Sequence, residues 1–394
     1  MRILINDHAG HPFQIQLSRA LAERGHVVRH CFTKDLKTPR GDLVARPEER
    51  NLEIEPIELG SAFERYGYLR RLQQERLLGS NLAECVRRFT PAAVVSANTP
   101  LLAQRALQRA CHGVGGKFVF WLQDILSIGI GQALAKKHPL LGKAAGATFG
   151  YLENSILRRS DAIVAISEDF TQVLLRRGIR AERISVVHNW APLDALPSRA
   201  KDNDWSREHE LHGASVVMYT GTLGLKHNPQ MLVELARALR SRPDARLVVI
   251  SEGTGADYLA EARGRENLES LVLLPYQPFD RLPDVLGSAD VLLAVLEKHA
   301  GQFAVPSKVL TYLCAGRAIV AAMPAENLAA RTILQAGAGV VVDPDDSAGF
   351  VTAVERLIDD PHRRQAQSER ARTFAERQFD IDIIADKFEA ILEP

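Results

Sequence analysis

Two turns in the second half of the chain each place a lysine next to the start of a predicted helix. The first is Gly221-Thr-Leu-Gly-Leu-Lys-His-Asn-Pro229, and the second opens Val305-Pro-Ser-Lys-Val-Leu-Thr-Tyr-Leu-Cys-Ala-Gly-Arg-Ala-Ile-Val320. Ser307 can cap a helix over Lys308–Ala315, and Asn228 stands before a proline that suits a first helical turn. Backbone N–H groups at a helix start, beside a fixed positive charge, can bind phosphate. Each turn alone is typical of an ordinary helix cap, but the two together predict a clamp for a diphosphate.

Length and composition indicate a globular protein of two α/β domains. The 394 residues are too many for one ordinary hydrophobic core, and 46% of them are hydrophobic while 25% are charged. No apolar stretch is long enough to span a membrane, and the first residues lack the pattern of a signal peptide. We therefore expect a cytoplasmic protein. The cysteines lack metal-ligand or disulfide-framework spacing, so we expect them to be small core residues: Cys31, Cys85, Cys111 and Cys314.

The formal net charge of +1 conceals a basic first half. Residues 1–190 contain 27 Lys and Arg against 18 Asp and Glu, which predicts an anionic partner for that half. One predicted helix, Tyr68–Phe89, and the residues just before it carry a set of arginines: Arg65, Arg70, Arg71, Arg76, Arg87 and Arg88. A second basic cluster, Lys136, Lys137, His138 and Lys143, lies among leucines and isoleucines, a mixture that suits an anionic membrane surface. A solvated helix face is the alternative. We expect no nucleic acid partner, because no aromatic-rich basic strand accompanies the charge.

Short apolar runs alternate with helical patterns along the whole chain. In the first half they lie at residues 3–5, 27–31, 94–96, 118–121, 163–166 and 184–187. In the second half they lie at residues 216–219, 247–250, 271–274, 291–295, 319–321 and 340–342. This alternation predicts two parallel sheets with helices on both faces, each half being Rossmann-like. Ligands of such sheets bind beyond the carboxyl ends of the strands.

We predict three parts in the chain. Residues 1–190 form a first domain, residues 191–378 form a second, and residues 379–394 form a terminal helix that packs back on the first domain. The segment 188–192 and the polar run 198–212 mark the hinge. The last two helices, Pro361–Gln378 and Ile381–Leu392, are amphipathic.

Eight motifs in a fixed order carry a resemblance to a known family. They are Ala9-Gly-His-Pro-Phe-Gln-Ile-Gln-Leu-Ser-Arg-Ala-Leu-Ala-Glu-Arg-Gly25, Trp121-Leu-Gln-Asp124, Ser160-Asp-Ala-Ile-Val-Ala-Ile-Ser-Glu168, Val187-His-Asn-Trp190, the Gly221 turn, Glu252-Gly-Thr-Gly255, Leu274-Pro-Tyr-Gln-Pro278 and the Val305–Val320 segment. On these motifs the whole chain resembles the retaining glycosyltransferases of family 4. Within that family it is similar to bacterial polysaccharide enzymes of the fucosamine-transferase and colanic-acid-transferase type.

The resemblance implies a GT-B fold, in which two Rossmann-like domains have parallel sheets that face a central cleft. The first domain would bind the acceptor, and the second would bind a nucleotide sugar, with UDP as the expected carrier. The implied reaction moves a sugar, with retention, to a hydroxyl of a polyprenyl-diphosphate-linked or other saccharide acceptor in surface polysaccharide biosynthesis. The enzyme would work at the inner face of the plasma membrane as a peripheral protein. It would need no cofactor and no metal.

The resemblance also implies roles for individual residues. Asp124 and Lys226 would be catalytic, Lys226 by neutralising the leaving phosphate and Asp124 by positioning the acceptor hydroxyl or stabilising charge on the sugar ring. A buried structural carboxylate is the alternative for Asp124. The donor-binding residues would be Gly10, Gly221, Glu252, Gly253, Gly255, Tyr276, Gln277, Ser307, Lys308, Val309 and Thr311. Among these, Gly221 and Gly10 would approach the diphosphate, Gly253 and Gly255 would leave room for the nucleoside, and Tyr276 and Gln277 would hold the base. Ser307, Lys308 and Val309 would supply N–H groups to the diphosphate.

The chain departs from the usual family pattern at several of its functional positions. Two glutamates of that pattern, the second of which binds ribose, align with Phe303 and Thr311, and neither residue can replace a carboxylate. An arginine after the diphosphate glycine is Thr222 here, and a histidine of the first domain is Gln123. These changes leave open a non-catalytic nucleotide-sugar-binding protein as an alternative to a transferase. A sugar-nucleotide 2-epimerase, which shares the two-domain fold, is a further alternative, but it would need several carboxylates and histidines that the motifs here do not supply.

Other chemistries find little support in the sequence. Metal-dependent transferases use an Asp-x-Asp pair, but Asp202-Asn-Asp204 lies in the hinge and Asp380-Ile-Asp382 at a terminal helix start. We interpret both as caps or solvated charges. A nicotinamide dehydrogenase would need GxGxxG directly after the first strand, where this chain has Asn6-Asp-His-Ala-Gly-His11.

Overall fold

The structure, a computed structural model, describes residues 1–36, 40–63, 68–97, 99–127, 139–224, 227–298 and 306–393. The chain divides into two compact units. Unit 1 comprises Met1–Asn189 and Ile381–Pro394, and unit 2 comprises Trp190–Asp380. The division between Asn189 and Trp190 falls within the segment 188–192.

Unit 1 is built on a sheet of seven strands in the order β3-β2-β1-β4-β5-β6-β7. The strands are β1 (Arg2–Asp7), β2 (Val27–Thr33), β3 (Leu52–Ile57), β4 (Ala93–Ala97), β5 (Lys117–Leu122), β6 (Ala162–Ala165) and β7 (Ile184–Val186). All neighbouring strands are parallel. The order reverses between β1 and β4, so the loop after β1 lies at the topological switch point of the sheet.

Unit 2 repeats this design with six parallel strands in the order β10-β9-β8-β11-β12-β13. They are β8 (Ser215–Thr220), β9 (Ala245–Ile250), β10 (Leu271–Leu274), β11 (Val291–Val295), β12 (Ala318–Ala322) and β13 (Gly339–Val342). The reversal lies between β8 and β11. The prediction of two parallel α/β sheets is confirmed, and each apolar run that predicted a strand overlaps one, the runs 163–166 and 184–187 extending one residue beyond it.

Helices connect the strands of both sheets. In chain order they are α1 (Pro12–Glu23), α2 (Tyr68–Phe89), α3 (Leu101–Gly113), α4 (Pro139–Arg159), α5 (Glu168–Arg176), α6 (Asp204–Glu208), α7 (Pro229–Ala238), α8 (Thr254–Glu266), α9 (Leu282–Gly287), α10 (Lys308–Ala315), α11 (Leu328–Ala336), α12 (Ser347–Asp359), α13 (Pro361–Gln378) and α14 (Ile381–Leu392). Short 3₁₀ turns lie at Ala181–Arg183, Leu239–Ser241 and Phe279–Arg281. Among the described helices, none is both long and apolar enough to cross a membrane.

The central strands are buried on both faces, because helices cover both sides of a parallel sheet. All five residues of β4, β11 and β12 are buried. Strand β3 is the one the apolar runs did not predict. Its sequence Leu-Glu-Ile-Glu-Pro-Ile alternates apolar and charged residues and contains Pro56, which suits the edge position that β3 occupies.

The last helix, α14, belongs to unit 1 and packs against α1. The guanidinium of Arg24 donates to Asp386 at 2.5 Å and to Glu389 at 2.6 Å. The ring of Phe388 lies 4.8 Å from that of Trp121 on β5. Polar contacts at the rim and an aromatic pair in the core therefore fix the end of the chain to unit 1.

Candidate functional site

The two lysine-bearing turns of the sequence lie on either side of the switch point of unit 2. Gly221 follows β8, and α10 is the helix that follows β11, the neighbour of β8 in the sheet. The carboxyl ends of these two strands lie side by side, which is where open α/β sheets bind their ligands.

Lys308, the first residue of α10, is the central charge of this site. Its Nζ atom lies 3.5 Å from the centroid of the Tyr219 ring, and a Cβ atom added to Gly221 would lie 3.7 Å from the same Nζ. The Nζ atom is buried and has no hydrogen-bond partner among the described residues. A buried ammonium without a counter-ion is costly, and an anionic ligand would supply the missing partner.

Burial lowers the pKa of Lys308 well below its usual value. The cause is the loss of water around the ammonium, which disfavours the charged form. The ring face of Tyr219 offsets part of this loss through a cation–π contact. A diphosphate beside Gly221 would reverse the shift, since a nearby negative charge favours the protonated lysine.

Tyrosine hydroxyls hold the turn after β8 in place. The Tyr219 hydroxyl donates to the Thr222 carbonyl at 2.7 Å, and the Thr220 amide donates to the Tyr312 hydroxyl of α10 at 3.0 Å. Burial raises the pKa of Tyr312 to about 12, so this hydroxyl stays neutral. Gly221 has a φ of +100°, a conformation that glycine adopts easily and that lets the backbone pass close to Lys308.

The start of α10 differs in part from the predicted cap. The helix begins at Lys308 as expected, and Ser307 holds the N-cap position, but its backbone is helical and its side chain makes no capping hydrogen bond. Asn228 likewise precedes α7 without a side-chain cap. The Val309 amide donates to the Pro306 carbonyl at 3.1 Å, so it is already engaged. Thr311 lies one turn further along α10 and is half-buried.

The loop after β9 contributes an exposed carboxylate and two glycines. Glu252 accepts a hydrogen bond from the Tyr276 amide at 3.1 Å, which ties the loops after β9 and β10 together. Gly253 has a φ of +92°. A Cβ atom at Gly255 would lie 2.1 Å from the Leu223 carbonyl oxygen, so the space beside this glycine is taken by the turn after β8. Gly255 therefore serves the packing of that turn.

Two further polar groups lie near these loops. The Ser251 hydroxyl, at the end of β9, is buried and has no hydrogen-bond partner within the described chain. Tyr276 is 39% exposed, and its hydroxyl lies 3.4 Å from the Thr222 hydroxyl. The Gln277 amide accepts from the Trp205 indole at 3.1 Å and donates to the Pro275 carbonyl at 2.9 Å, so its first role is to hold a buried tryptophan.

Asp124 lies in unit 1, just beyond β5, and is exposed. One of its carboxylate oxygens accepts a hydrogen bond from the Ile125 amide at 2.9 Å. The alternative of a buried structural carboxylate is therefore wrong. Next to it, Gln123 and Asn189 exchange two amide hydrogen bonds of 3.0 and 2.6 Å, so the ends of β5 and β7 are linked.

Gly10 lies in the loop after β1, where a φ of +78° again favours glycine. Its amide donates to Asp7 Oδ1 at 2.9 Å, and a Cβ atom there would lie 2.8 Å from a methyl group of Leu43. The Cα of Gly10 is therefore covered by a neighbouring side chain of unit 1, and any ligand would meet the adjacent loop atoms instead.

A buried cluster around Asp7 was not singled out from the sequence. Asp7 is fully buried at the end of β1, 3.4 Å from His11 Nδ1 and 3.9 Å from His30 Nε2. The Gln14 amide, with its nitrogen turned toward the carboxylate, donates to Asp7. The signal in the sequence was an aspartate and a histidine four positions apart across the end of a strand and the start of a helix.

Lys226 lies outside the described residues, as does Phe303. Within the described ranges, no group of three or more His, Cys, Asp or Glu side chains could hold a metal ion. Asp202 forms a two-point ion pair with Arg207, at 2.6 and 3.0 Å, and Asn203 caps α6. The Asp202-Asn-Asp204 segment is therefore a helix cap, as expected.

The basic helix α2 is partly neutralised by neighbouring carboxylates. The ion pairs are Arg71 with Glu75 at 3.0 Å, Arg87 with Glu84 at 2.9 Å, and Arg88 with Glu55. Arg70 and Arg76 are exposed and have no carboxylate partner in the described part of the chain. The cluster at residues 136–138 lies outside the described residues. The unpaired charge of α2 is thus smaller than the sequence predicts.

Comparison with known proteins places both units in one family. Residues 14–190 match the family model of the glycosyl transferase 4-like domain, and residues 214–360 match that of glycosyl transferases group 1.

Individual relatives are distant and align over most of their length. WcaI of Escherichia coli K12, named as a colanic acid biosynthesis glycosyl transferase, is 23% identical over 309 residues, which are 77% of this chain and 74% of WcaI. WbjE of Pseudomonas aeruginosa, named as a glycosyltransferase, is 22% identical over 82% of each chain. The crystal structure of Anabaena HepE with UDP-glucose has a TM-score of 0.71 at 15% identity, over 100% of this chain and 99% of HepE. The chain belongs to the glycosyltransferases of the GT-B fold and is related to enzymes of polysaccharide biosynthesis.

Proposed function

We propose that this protein transfers a sugar from a nucleotide diphosphate donor, with uridine as the base, to a hydroxyl of a lipid-linked or saccharide acceptor. Transfer occurs with retention at the anomeric carbon and without a metal ion. The product is a precursor of a surface polysaccharide, such as an O-antigen or a capsule. The name of WcaI and the UDP-glucose in the HepE structure support this choice of pathway class and donor.

The observation that carries the proposal is the unpartnered ammonium of Lys308 at the switch point of unit 2. It lies against Gly221, whose backbone leaves space for a phosphate, at the amino end of α10. A diphosphate here would meet a lysine whose protonated form the anion favours, and the positive end of a helix dipole. Because both are in place before the reaction, they stabilise the charge that develops on the departing diphosphate.

The other donor groups lie on the neighbouring strand ends. Glu252 and Tyr276 follow β9 and β10, and they are already joined by a hydrogen bond. The exposed ring of Tyr276 can stack on the base, while the exposed carboxylate of Glu252 can accept hydroxyl hydrogen bonds from a sugar. Lys226 would add a second cation at the diphosphate. Gly253, Ser307 and Thr311 complete the proposed donor site.

In unit 1, we propose that Asp124 meets the acceptor or the reacting sugar. It stands at the carboxyl edge of the sheet and is open to solvent, so a ligand can reach it. A carboxylate there can accept a hydrogen bond from a sugar hydroxyl or stabilise positive charge on the ring.

We also propose that the basic first half brings the enzyme to the inner face of the plasma membrane. On the described part of α2, Arg70 and Arg76 are exposed and without a carboxylate partner, so they can contact anionic lipids. Changing both to glutamate should release the protein from anionic liposomes at low salt. The matched control changes two exposed arginines of unit 2, Arg363 and Arg377, to glutamate. Equal binding of the two variants, or no binding by the wild type, would rule out this attachment.

The direct test of the transferase is a thermal-shift screen of nucleotide sugars followed by product analysis. A ligand that binds only the folded protein raises its melting temperature. We expect UDP and one UDP-sugar to do so, and the enzyme to release UDP from that sugar. Stabilisation without UDP release from any sugar would support the non-catalytic alternative instead.

A further inference from the structure

Two cysteines of unit 1 lie side by side between a strand and a helix. Cys31 on β2 and Cys85 on α2 are both buried, and their Sγ atoms are 3.5 Å apart. The sulfur atoms of a disulfide are about 2.0 Å apart, so a gap of about 1.5 Å remains. A change of the χ1 rotamer moves a sulfur atom further than that. The two thiols are therefore close enough to be joined.

The strand period places charged groups on the same side of the sheet as Cys31. Side chains alternate between the two faces along a strand, so Arg29 and Cys31 point to one face. Glu55 on β3 is the register partner of Cys31 and shares that face. Helix α2 covers it, and the Cys85 Sγ atom lies 3.4 Å from Glu55 Oε2 and 3.9 Å from Arg29 Nη1. The two thiols therefore lie next to a guanidinium and a carboxylate.

The two cysteines differ in their reactivity. The hydrogen bond with Cys31 lowers the pKa of the Cys85 thiol, and the Arg29 guanidinium lowers it further, against the effect of burial. The hydrogen bond with Cys85 and burial raise the pKa of Cys31 well above its usual value. The thiolate is the form of cysteine that oxidants attack. Cys85 is therefore the thiol that reacts first, and Cys31 is its resolving partner.

An ion pair at the protein surface covers the Cys85 thiol. Glu55 is 21% exposed and pairs with Arg88, which is 56% exposed and follows Cys85 by three positions on α2. Residues three positions apart lie on one face of a helix, so Arg88 and Cys85 are neighbours. Exposed ion pairs contribute little to stability, so this cover opens readily. An oxidant with only two heavy atoms, such as hydrogen peroxide, needs no wide opening.

We propose that Cys31 and Cys85 form a redox site, which hydrogen peroxide converts to a disulfide and a dithiol reductant restores. The Cys85 sulfur attacks one peroxide oxygen, the O–O bond breaks, and the departing hydroxide takes the thiol proton and leaves as water. Cys85 is then a sulfenic acid. The Cys31 sulfur displaces the hydroxyl group from Cys85, and that group leaves with the Cys31 proton as a second water. Two electrons have then passed from the sulfurs to the peroxide.

The new bond would fix α2 to β2. The two cysteines are 54 positions apart, and β3 lies in the segment between them. Closing a long segment restrains the unfolded chain, so oxidation should raise the melting temperature by roughly 5–10 °C, and reduction should reverse the rise. The proposal does not depend on the transferase function.

The test uses the folded, full-length wild type, first reduced and freed of reductant and then treated with hydrogen peroxide. The remaining thiols are alkylated in denaturant, and the digest is analysed by mass spectrometry. We expect a linked pair of peptides that contains Cys31 and Cys85, is lighter by two hydrogen atoms than the separate peptides, and disappears with dithiothreitol. Cys111 and Cys314 are internal controls, because burial raises the pKa of each to about 12. Both should stay reduced and become alkylated.

Two variants separate the roles of the cysteines. Cys31→Ser leaves Cys85 without a resolving thiol, so peroxide should leave a sulfenic acid on Cys85 that dimedone labels more strongly than in the wild type. Cys111→Ser, which alters another buried cysteine of unit 1, should form the disulfide at the wild-type rate.

Three outcomes would overturn the proposal. They are the absence of the linked peptides, oxidation of Cys111 or Cys314 as fast as that of Cys85, and a lower melting temperature after oxidation. None of these measurements involves a nucleotide sugar, so the transferase proposal would be unaffected.

Discussion

Replacing Lys308 by methionine should slow turnover of the donor. It should also remove one contribution to the pH dependence of the free energy of unfolding. Methionine keeps the length and apolar stem of lysine but cannot carry a charge. Because Nζ lies beside Gly221 and becomes the cation of the diphosphate once that anion binds, its loss should slow turnover by roughly a hundredfold or more. Lys298→Met is the matched control, since Lys298 is also in unit 2 but is 60% exposed and paired with Asp345 at 3.4 Å. It should leave turnover unchanged.

The sign of the stability effect follows from the lowered pKa of Lys308. Between the folded-state pKa and the unfolded value near ~10.4, the unfolded chain binds more protons, so the free energy of unfolding rises with pH. One proton contributes at most about 1.4 kcal/mol per pH unit, which is about 3–6 °C in melting temperature for a unit of this size. This contribution is complete above the unfolded pKa and is lost as pH falls through the folded pKa.

The assay is a set of melting curves from pH 7 to 10, with and without saturating UDP. The difference between wild type and Lys308→Met isolates this lysine, since all other groups titrate in both proteins. We expect the wild type to gain melting temperature relative to the variant as pH rises, and UDP to reduce that gain by keeping Nζ protonated. Parallel curves for the two ligand-free proteins, or turnover of the variant within a few-fold of wild type, would refute the reasoning.

Three further outcomes are expected. Lys226→Ala should slow turnover about a hundredfold at an unchanged melting temperature, because a leaving-group cation acts mainly in the transition state; normal rates would remove it from the site. Excess EDTA should leave the activity intact, and a loss that magnesium or manganese restores would contradict the metal-free mechanism. Gly255→Ala should destabilise unit 2 by about 1–3 kcal/mol and weaken UDP binding, since its Cβ would displace Leu223. Gly264→Ala, in the same helix with open space around it, should not destabilise unit 2, and equal melting temperatures would argue against the steric account.

The sequence predicts the strands of the sheets from hydrophobicity alone because most of them are buried on both faces. Strand β3 escapes this reasoning, since it lies at an edge and alternates leucine and isoleucine with glutamate. Caps are also harder to predict than helix bounds. The start of α10 is where Ser307 and Lys308 indicate, but whether a serine side chain bonds the helix depends on backbone angles that composition does not determine.

The site shows the same limit. A lysine at a helix start predicts a phosphate contact, but its burial on the face of Tyr219 depends on the pairing of β8 with β11, which are distant in sequence. The resemblance assigns Gly255 to the nucleoside, whereas the structure shows that this glycine makes room for Leu223. The Asp7–His11 pair was missed because the resemblance gives a role only to Gly10 in the motif that contains His11, and gives none to Asp7.

The donor loops are tied to one another before any ligand arrives. The Tyr219 hydroxyl on β8 donates to the Thr222 carbonyl in the turn that follows. The Tyr276 amide donates to Glu252, and the Tyr276 hydroxyl donates to the Thr222 hydroxyl. Loops that are already ordered lose little entropy when a ligand binds, so more of the contact energy appears as affinity. Within the described part of these loops, Lys308 Nζ is one of the buried polar atoms that have no hydrogen-bond partner. We therefore expect the binding energy of the donor to be concentrated at its diphosphate. UDP should then bind far more tightly than uridine, and this preference should be much smaller in Lys308→Met.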